Sequence, residues 1–202
     1  MVSKEQMDIA ALPKISLHDH LDGGLRPQTI VELAAEIGHE LPSTNSLGLA
    51  AWFKQNADSG SLERYLSTFQ HTVGVMQTRA GLERVAFEAV MDLASENIIY
   101  AELRWAPEQH LNLGLSLDEA VEAVQDGLER GMEQVGDRGG FIRTGQIISA
   151  MRHADNALEV AELAVRHRND GVVGFDIAGP EEGFLPSRHQ LAFDYLAAEL
   201  FP

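Results

Sequence analysis

Along nearly its whole length the chain alternates short apolar, strand-like runs with helix-spaced apolar patterns, and this alternation constrains its fold more than any other feature. Ile15 and Leu17 alternate with polar neighbours between Pro13 and Gly23-Gly24, which reads as a short strand ending in a turn. Pro27 then stands where a helix starts, with φ already fixed and no amide donor to waste. Ile30, Val31, Leu33, Ala34 and Ile37 follow at helical spacing up to Gly38. Residues 41–60 are turn-rich, and a short helix is expected around Trp52-Phe53. Amphipathic helices are expected over 61–76 and 81–95, followed by a buried strand over 98–104 that Pro107 stops. Ser116 reads as an N-cap with Glu119 at the capping-box position, opening a helix to about Val135. A third strand over 141–149, a helix over 156–167, a fourth strand over 172–177 and a last helix over 187–200 complete the pattern.

Strands alternating with helices imply βαβ units and a parallel sheet. The chemically interesting residues fall at the C-terminal ends of the strands: His18 and His20, then Glu102 and Arg104, then Arg152-His153, then Asp176. Active sites lie there in TIM barrels. A doubly wound sheet places them there too, but no Gly-x-Gly-x-x-Gly turn follows any strand. A complete barrel has eight strands and typically about 250 residues. The expected fold is therefore α/β, the first half of a TIM (β/α)8 barrel. It has four parallel strands with flanking helices and a helical lid insertion over 41–76, in a single domain spanning residues 1–202.

His18-Asp19-His20 closes the first strand. Successive strand side chains point to opposite faces, so the two histidines share one face, where paired imidazoles are good ligands for a divalent metal such as zinc. The chain has no cysteine. That excludes disulfides, thiolate zinc sites, a cysteine nucleophile and the His/Cys/Cys zinc centre of cytidine deaminases. Any metal must be held by His, Asp or Glu. The net charge of −16 argues against nucleic-acid or anionic-membrane partners. The acids concentrate on amphipathic stretches such as 117–134, where they read as a solvated helix face. No run approaches the ~18 apolar residues of a membrane span, and the polar residues 1–8 lack an apolar signal region, so a cytoplasmic location is expected.

Four segments also resemble, in order, the strand-end motifs of adenosine deaminases, zinc enzymes of the amidohydrolase superfamily. They are KISLHDHLDGG at 14–24, YAELRWAP at 100–107, SAMRH at 149–153 and VGFDIAGPE at 173–181. The resemblance implies that His18 and His20 are zinc ligands, with His20 also close to substrate. It implies that Asp22 accepts a hydrogen bond from a ribose 5′-hydroxyl and that Gly179 offers its backbone to the purine. The stripe of Leu62, Tyr65, Leu66 and Phe69 resembles the family's apolar lid; on spacing alone it is an ordinary core face. Relatives acting on free adenine tend to carry Glu where this chain has Asp22, which favours a small purine nucleoside as partner. The resemblance further implies a fifth-strand His-Ala-Gly-Glu motif supplying the third histidine ligand and the proton-donating glutamate. A later histidine orients the water, and an Asp-Asp pair follows. None of these is within the 202 residues. The expectation is an N-terminal half of such an enzyme, with no catalytic residue in this chain, an incomplete zinc ligand set, no activity alone and self-association through open barrel edges. The alternatives are a deaminase of another aminopurine and a non-enzymatic half-barrel.

The remaining candidates have plainer readings. Glu102 and Arg104 share a strand face and are expected to pair with each other. Asp19 is expected to be a satisfied partner in the wall between strand and helix. His39, His71, His110, His167 and His189 are expected in solvent, His153 is given no ligand role, and packing or hydrogen bonding accounts for Asp176 as well as chemistry does.

Overall fold

The computed structural model describes residues 9–202, apart from the side chains of residues 62 and 63. Residues 1–8, on which the expectation of no signal segment rests, lie outside the described residues. Strands β1 (Lys14–His20), β2 (Ile98–Trp105), β3 (Arg143–Met151) and β4 (Val172–Ala178) form one parallel sheet in chain order. Four helices fill the first crossover: α1 (Pro27–Ile37), α2 (Ser46–Ala57), α3 (Leu62–Val75) and α4 (Arg79–Ser95). The next two crossovers carry α5 (Leu117–Asp137) and α6 (Ala157–Arg166), and α7 (Gln190–Ala198) follows β4.

The helix ends form where the sequence places them. Ser116 Oγ accepts from the Glu119 amide and the Glu119 carboxylate accepts from the Ser116 amide, a complete capping box at the start of α5. Gly38, in the left-handed region at φ 74°, closes α1 with its N–H on the Ala34 carbonyl. Inside α5, Gly127 lets α4 come close: a Cβ there would stand 2.2 Å from the Glu83 carbonyl oxygen.

Alternate residues of the strands serve the two sides of the sheet. Leu103 and Trp105 of β2 and Ile148 and Ala150 of β3 join α4, α5 and α6 in the buried core. The intervening residues, Arg104 and Ser149 among them, point to the other face with His18 and His20. On the first edge strand, Ile15 and Leu17 are 62% and 59% exposed. At the other edge the Phe175 amide donates to the Pro202 carbonyl at 3.0 Å. Two boundaries differ from expectation. Helix α2 is longer than a turn around Trp52-Phe53, because Asn45 caps it by accepting from the Gly48 amide. Strand β3 begins at Arg143 and leaves Phe141 exposed in the preceding loop. No helix among the described residues is long and apolar enough to cross a membrane.

Candidate active site

Strand β1 puts His18 and His20 side by side, with ring centroids 5.3 Å apart in an edge-on arrangement. Arg104, the register partner of His20 on β2, reaches between them. Its Nη1 donates to His18 Nε2 at 3.0 Å and to His20 Nε2 at 3.3 Å. A guanidinium has no acceptor, so both imidazoles present an Nε2 lone pair and carry their protons on Nδ1. The other arm of Arg104 pairs with Asp176 of β4 at 2.8 Å and lies 3.5 Å from Ser149 Oγ of β3. Ser149 in turn donates to Asp176 at 2.5 Å. One guanidinium thus ties together the C-terminal ends of all four strands.

This arrangement corrects the expectation that Glu102 and Arg104 pair with each other. Glu102 instead accepts from the Tyr100 hydroxyl at 2.8 Å. The long Arg104 side chain runs toward the strand ends, where Asp176, two strands away, offers a carboxylate and Glu102 does not.

Beyond β1 the chain turns through Leu21-Asp22. Asp22 is 7% exposed, and its Oδ1 lies 3.6 Å from His20 Nδ1 without a hydrogen-bond partner. A cavity of about 240 Å3 opens over these residues, lined by His20, Asp22, Arg104, Ser149 and Gly179, with Leu66 and Phe69 of α3 above. Gly179 adopts φ +101°, and a Cβ there would meet the Met151 methyl at 3.2 Å, so a side chain would both strain the turn and crowd the wall. The Phe69 ring stands 6.3 Å from that of His20. Of the proposed lid stripe, Leu66 and Phe69 therefore reach the cavity. Tyr65 lines a neighbouring apolar cleft between α1, α2 and α3 instead. The side chain of Leu62 lies outside the described residues.

The convergence of two imidazole Nε2 acceptors on one positive group is a donor arrangement a divalent metal takes from histidines. The His18–His20 pair therefore fits a zinc ion as two of its ligands. Among the described residues no group of three or more His, Cys, Asp or Glu side chains is gathered for a metal. Asp19 makes no side-chain hydrogen bond or ion pair among the described residues, contrary to its expected role as a satisfied wall partner.

Three histidines expected in solvent are buried: His71, His110 and His189. Each is held by a polar contact that a helix or strand pattern does not announce. His71 Nδ1 lies 3.1 Å from His39 Nε2, and His189 Nε2 lies 3.1 Å from the Arg152 carbonyl oxygen. His110 Nδ1 donates to the Met76 carbonyl at 2.9 Å, and burial pushes the ring's pKa down to about 4. His167, also largely covered, contacts Asp118 at 2.9 Å. His153 meets the Phe184 ring at 6.2 Å and takes no part in the Arg104 network.

Residues 13–200 match the family model for adenosine deaminase. The chain is 60% identical over 192 residues to adenosine deaminase 1 of Streptomyces coelicolor, covering 95% of this chain and 48% of that protein. Among solved structures, arabidopsis ADAL complexed with GMP superposes with a TM-score of 0.74 at 29% identity, over 92% of this chain and 56% of the other. A cog1816 amidohydrolase from Burkholderia ambifaria shares the fold at a TM-score of 0.78 and 23% identity, over 98% of this chain and 55% of the other. The four parallel strands with their flanking helices are half of a TIM barrel of the kind these structures share. The chain belongs to the adenosine deaminase family. It spans about half the length of the curated relatives it matches.

Proposed function

We propose that these residues form the first half of a zinc-dependent deaminase barrel that converts adenosine and water to inosine and ammonia, a reaction of purine salvage. The observation that carries this reading is the meeting of the His18 and His20 Nε2 lone pairs at the rim of a cavity that also holds Asp22 and Gly179. His18 and His20 would hold the metal, and a bound zinc ion supplies Lewis-acid activation of the nucleophilic water. His20 and Phe69 flank the nucleoside, and Asp22 accepts from its ribose hydroxyl. The left-handed turn at Gly179 lets the purine lie against backbone, and Leu66 and Phe69 shield it from water.

Catalytic zinc typically takes three protein ligands, and proton transfer to the purine ring needs a positioned acid. Among the described residues two histidines converge here, and the one carboxyl group lining the cavity, Asp22, is taken up by the ribose hydroxyl in this reading. We therefore expect no turnover from these 202 residues alone. Adenosine loss is followed by ultraviolet absorbance, first with the zinc-loaded chain and then with a polypeptide carrying a family-type second half supplied in trans. The expected result is activity only in the mixture, abolished by His18→Ala or His20→Ala. Turnover by the 202 residues alone that vanishes in His20→Ala overturns the dependence on a second half. A reconstituted barrel that processes another aminopurine and not adenosine overturns the substrate.

A further inference from the structure

Helix α3, which carries Leu66 and Phe69 over the cavity, is loosely seated on its other side. There a cleft of about 290 Å3, lined by Leu25, Ile30, Phe53 and Tyr65, opens between it and helices α1 and α2. Among the described residues one side-chain hydrogen bond ties α3 to α1, α2 or the turn between them: His71 Nδ1 lies 3.1 Å from Nε2 of His39. His39 reaches α3 because the left-handed Gly38 turns the chain back at the end of α1. Its ring lies against Gly74, where a Cβ would stand 2.5 Å from His39 Cε1. Trp52 of α2 meets the buried His71 ring edge-on at 5.2 Å. The protons of this joint are ordered. The Gln70 amide donates to His71 Nε2 at 3.1 Å, so His71 carries its proton on Nδ1 and donates it to His39. Both nitrogens of His71 are then engaged, and the lone pair of His39 Nε2 is used as well.

We propose that His39 and His71 are positioning residues of the lid: their hydrogen bond seats α3 over the cavity, and protonation of the pair releases it. The inference goes beyond the deaminase reading and holds whatever the cavity takes. One added proton makes a buried cation and obliges Gln70 to turn its oxygen inward. A second sets two N–H groups and two like charges face to face at 3.1 Å. No carboxylate compensates them. Glu36 and Glu40 on either side of His39, Lys54 and Asp58 of α2 and Arg64 of α3 form no ion pair with either ring among the described residues, and His39 is the charged group that acts on His71. Burial and His39 hold His71 below its ordinary 6.5. The seat is therefore fully made above about pH 6.5 and is lost as pH falls. Buried Val75 and Met76, with the Gln77 bond to the Gln109 carbonyl at 3.0 Å, keep the far end of α3 fixed, so the motion belongs to the part that carries Leu66 and Phe69.

The test reads amide hydrogen exchange in the 202-residue chain by mass spectrometry at about pH 7.5 and about pH 5, corrected for the intrinsic exchange rate. Both conditions lie above the point, about 4, at which His110 titrates. The expected result is an opening of α3 that rises about tenfold on acidification, while α5 keeps its protection. His39→Gln, whose side-chain oxygen accepts from His71 without taking a proton, removes that response. Gly74→Ala favours the helix by propensity but pushes the His39 ring away, so it should open α3 at both pH values. An α3 that opens no more at the lower pH, α3 and α5 loosening together, a His39→Gln response like the parent's, or a Gly74→Ala chain that protects α3 as well as the parent does overturns the inference. The measurement needs no turnover, so its failure and that of the deaminase assay are separate results.

Discussion

Replacing Arg104 by methionine should move stability and metal affinity in opposite directions, because one guanidinium serves both. Methionine keeps the apolar stem and deletes the ion pair to Asp176 at 2.8 Å and the two bonds to the histidines. Breaking a fully buried pair costs about 3–5 kcal/mol. Here the Arg104 side chain is 10% exposed but that of Asp176 is 30% exposed and keeps its Ser149 bond, so water recovers part of the loss. The substitution also removes an Nε that is buried without a partner. We expect a net destabilisation of about 2 kcal/mol, or about 4–8 °C in Tm for a domain of this size. Zinc should behave otherwise. Zinc bound at ~2.0–2.1 Å from each nitrogen would occupy the place of Nη1, so the guanidinium must first withdraw. Even ~7 Å away, one positive charge repels a divalent ion by ~5 kcal/mol at an effective dielectric near 20. Asp176 offsets most of that and the histidines lose their anchor, which leaves an expected gain of about tenfold in zinc affinity, about 1.4 kcal/mol. Melting followed by circular dichroism and zinc titration against a competing chelator read the two quantities. An unchanged Tm, or zinc affinity equal to or below the parent's, refutes this account of Arg104. Arg104→Lys, which keeps the charge without the fork, should fall between on both scales.

Three more outcomes follow from the packing and the titrating groups. Gly127→Ala should destabilise by up to about 2 kcal/mol, because crowding costs up to about 3 kcal/mol and outweighs the ~1 kcal/mol that alanine gains in a helix; its Cβ would stand 2.2 Å from the Glu83 oxygen. A urea midpoint at or above the parent's counts against that. The folded pKa of His110, about 4, lies below its ordinary 6.5, so the unfolded chain binds more protons between those values. Stability is therefore flat above about pH 6.5 and falls on acidification toward pH 4 by about 3 kcal/mol. His71, lowered by burial and by His39, acts in the same direction. Urea midpoints that do not change between pH 7.5 and 4.5 would contradict this. Finally, Ile15 and Leu17, exposed on an edge strand, should drive self-association that Leu17→Lys weakens. Light scattering that reports a monodisperse monomer at high concentration would dismiss it.

What could be read from the sequence was whatever repeats locally. The four strands and the helices between them announce themselves by period and cap, and Ser116 with Glu119 forms the capping box its spacing predicts. The histidine pair was legible because a strand's period of two puts His18 and His20 on one face. Arg104 as the centre of the site was not, since its partners come from three other strands and only the sheet brings them together. The buried histidines were missed for a related reason. An imidazole is polar in composition but flat and satisfied by one carbonyl or one other ring, so His110 and His189 enter the interior on a single backbone contact each. Tyr65 shows the opposite error: it is on the same helical stripe as Phe69, but one turn earlier in α3 it lines another cleft.

The Arg104 network also bears on how far the histidine pair depends on the rest of the sheet. Two imidazoles on adjacent outward positions of an edge strand have no reason to keep their Nε2 atoms convergent; each ring turns freely about its χ angles unless something holds it. Here the holder is a cation fixed from the far side by Asp176 and Ser149, so the ligand geometry on β1 is set by side chains on β2, β3 and β4. Both imidazoles turn an Nε2 acceptor toward one point at the strand ends. That preorganisation lowers the cost of ordering the ligands, while the cation itself must be displaced. Ser149→Ala isolates the first effect from the second, because it loosens the far anchor through the Ser149–Asp176 bond and leaves the charge in place. Zinc affinity in Ser149→Ala should therefore fall by a few-fold, opposite in sign to Arg104→Met, and a rise in affinity would mean that the guanidinium only competes with the metal and does not order its ligands.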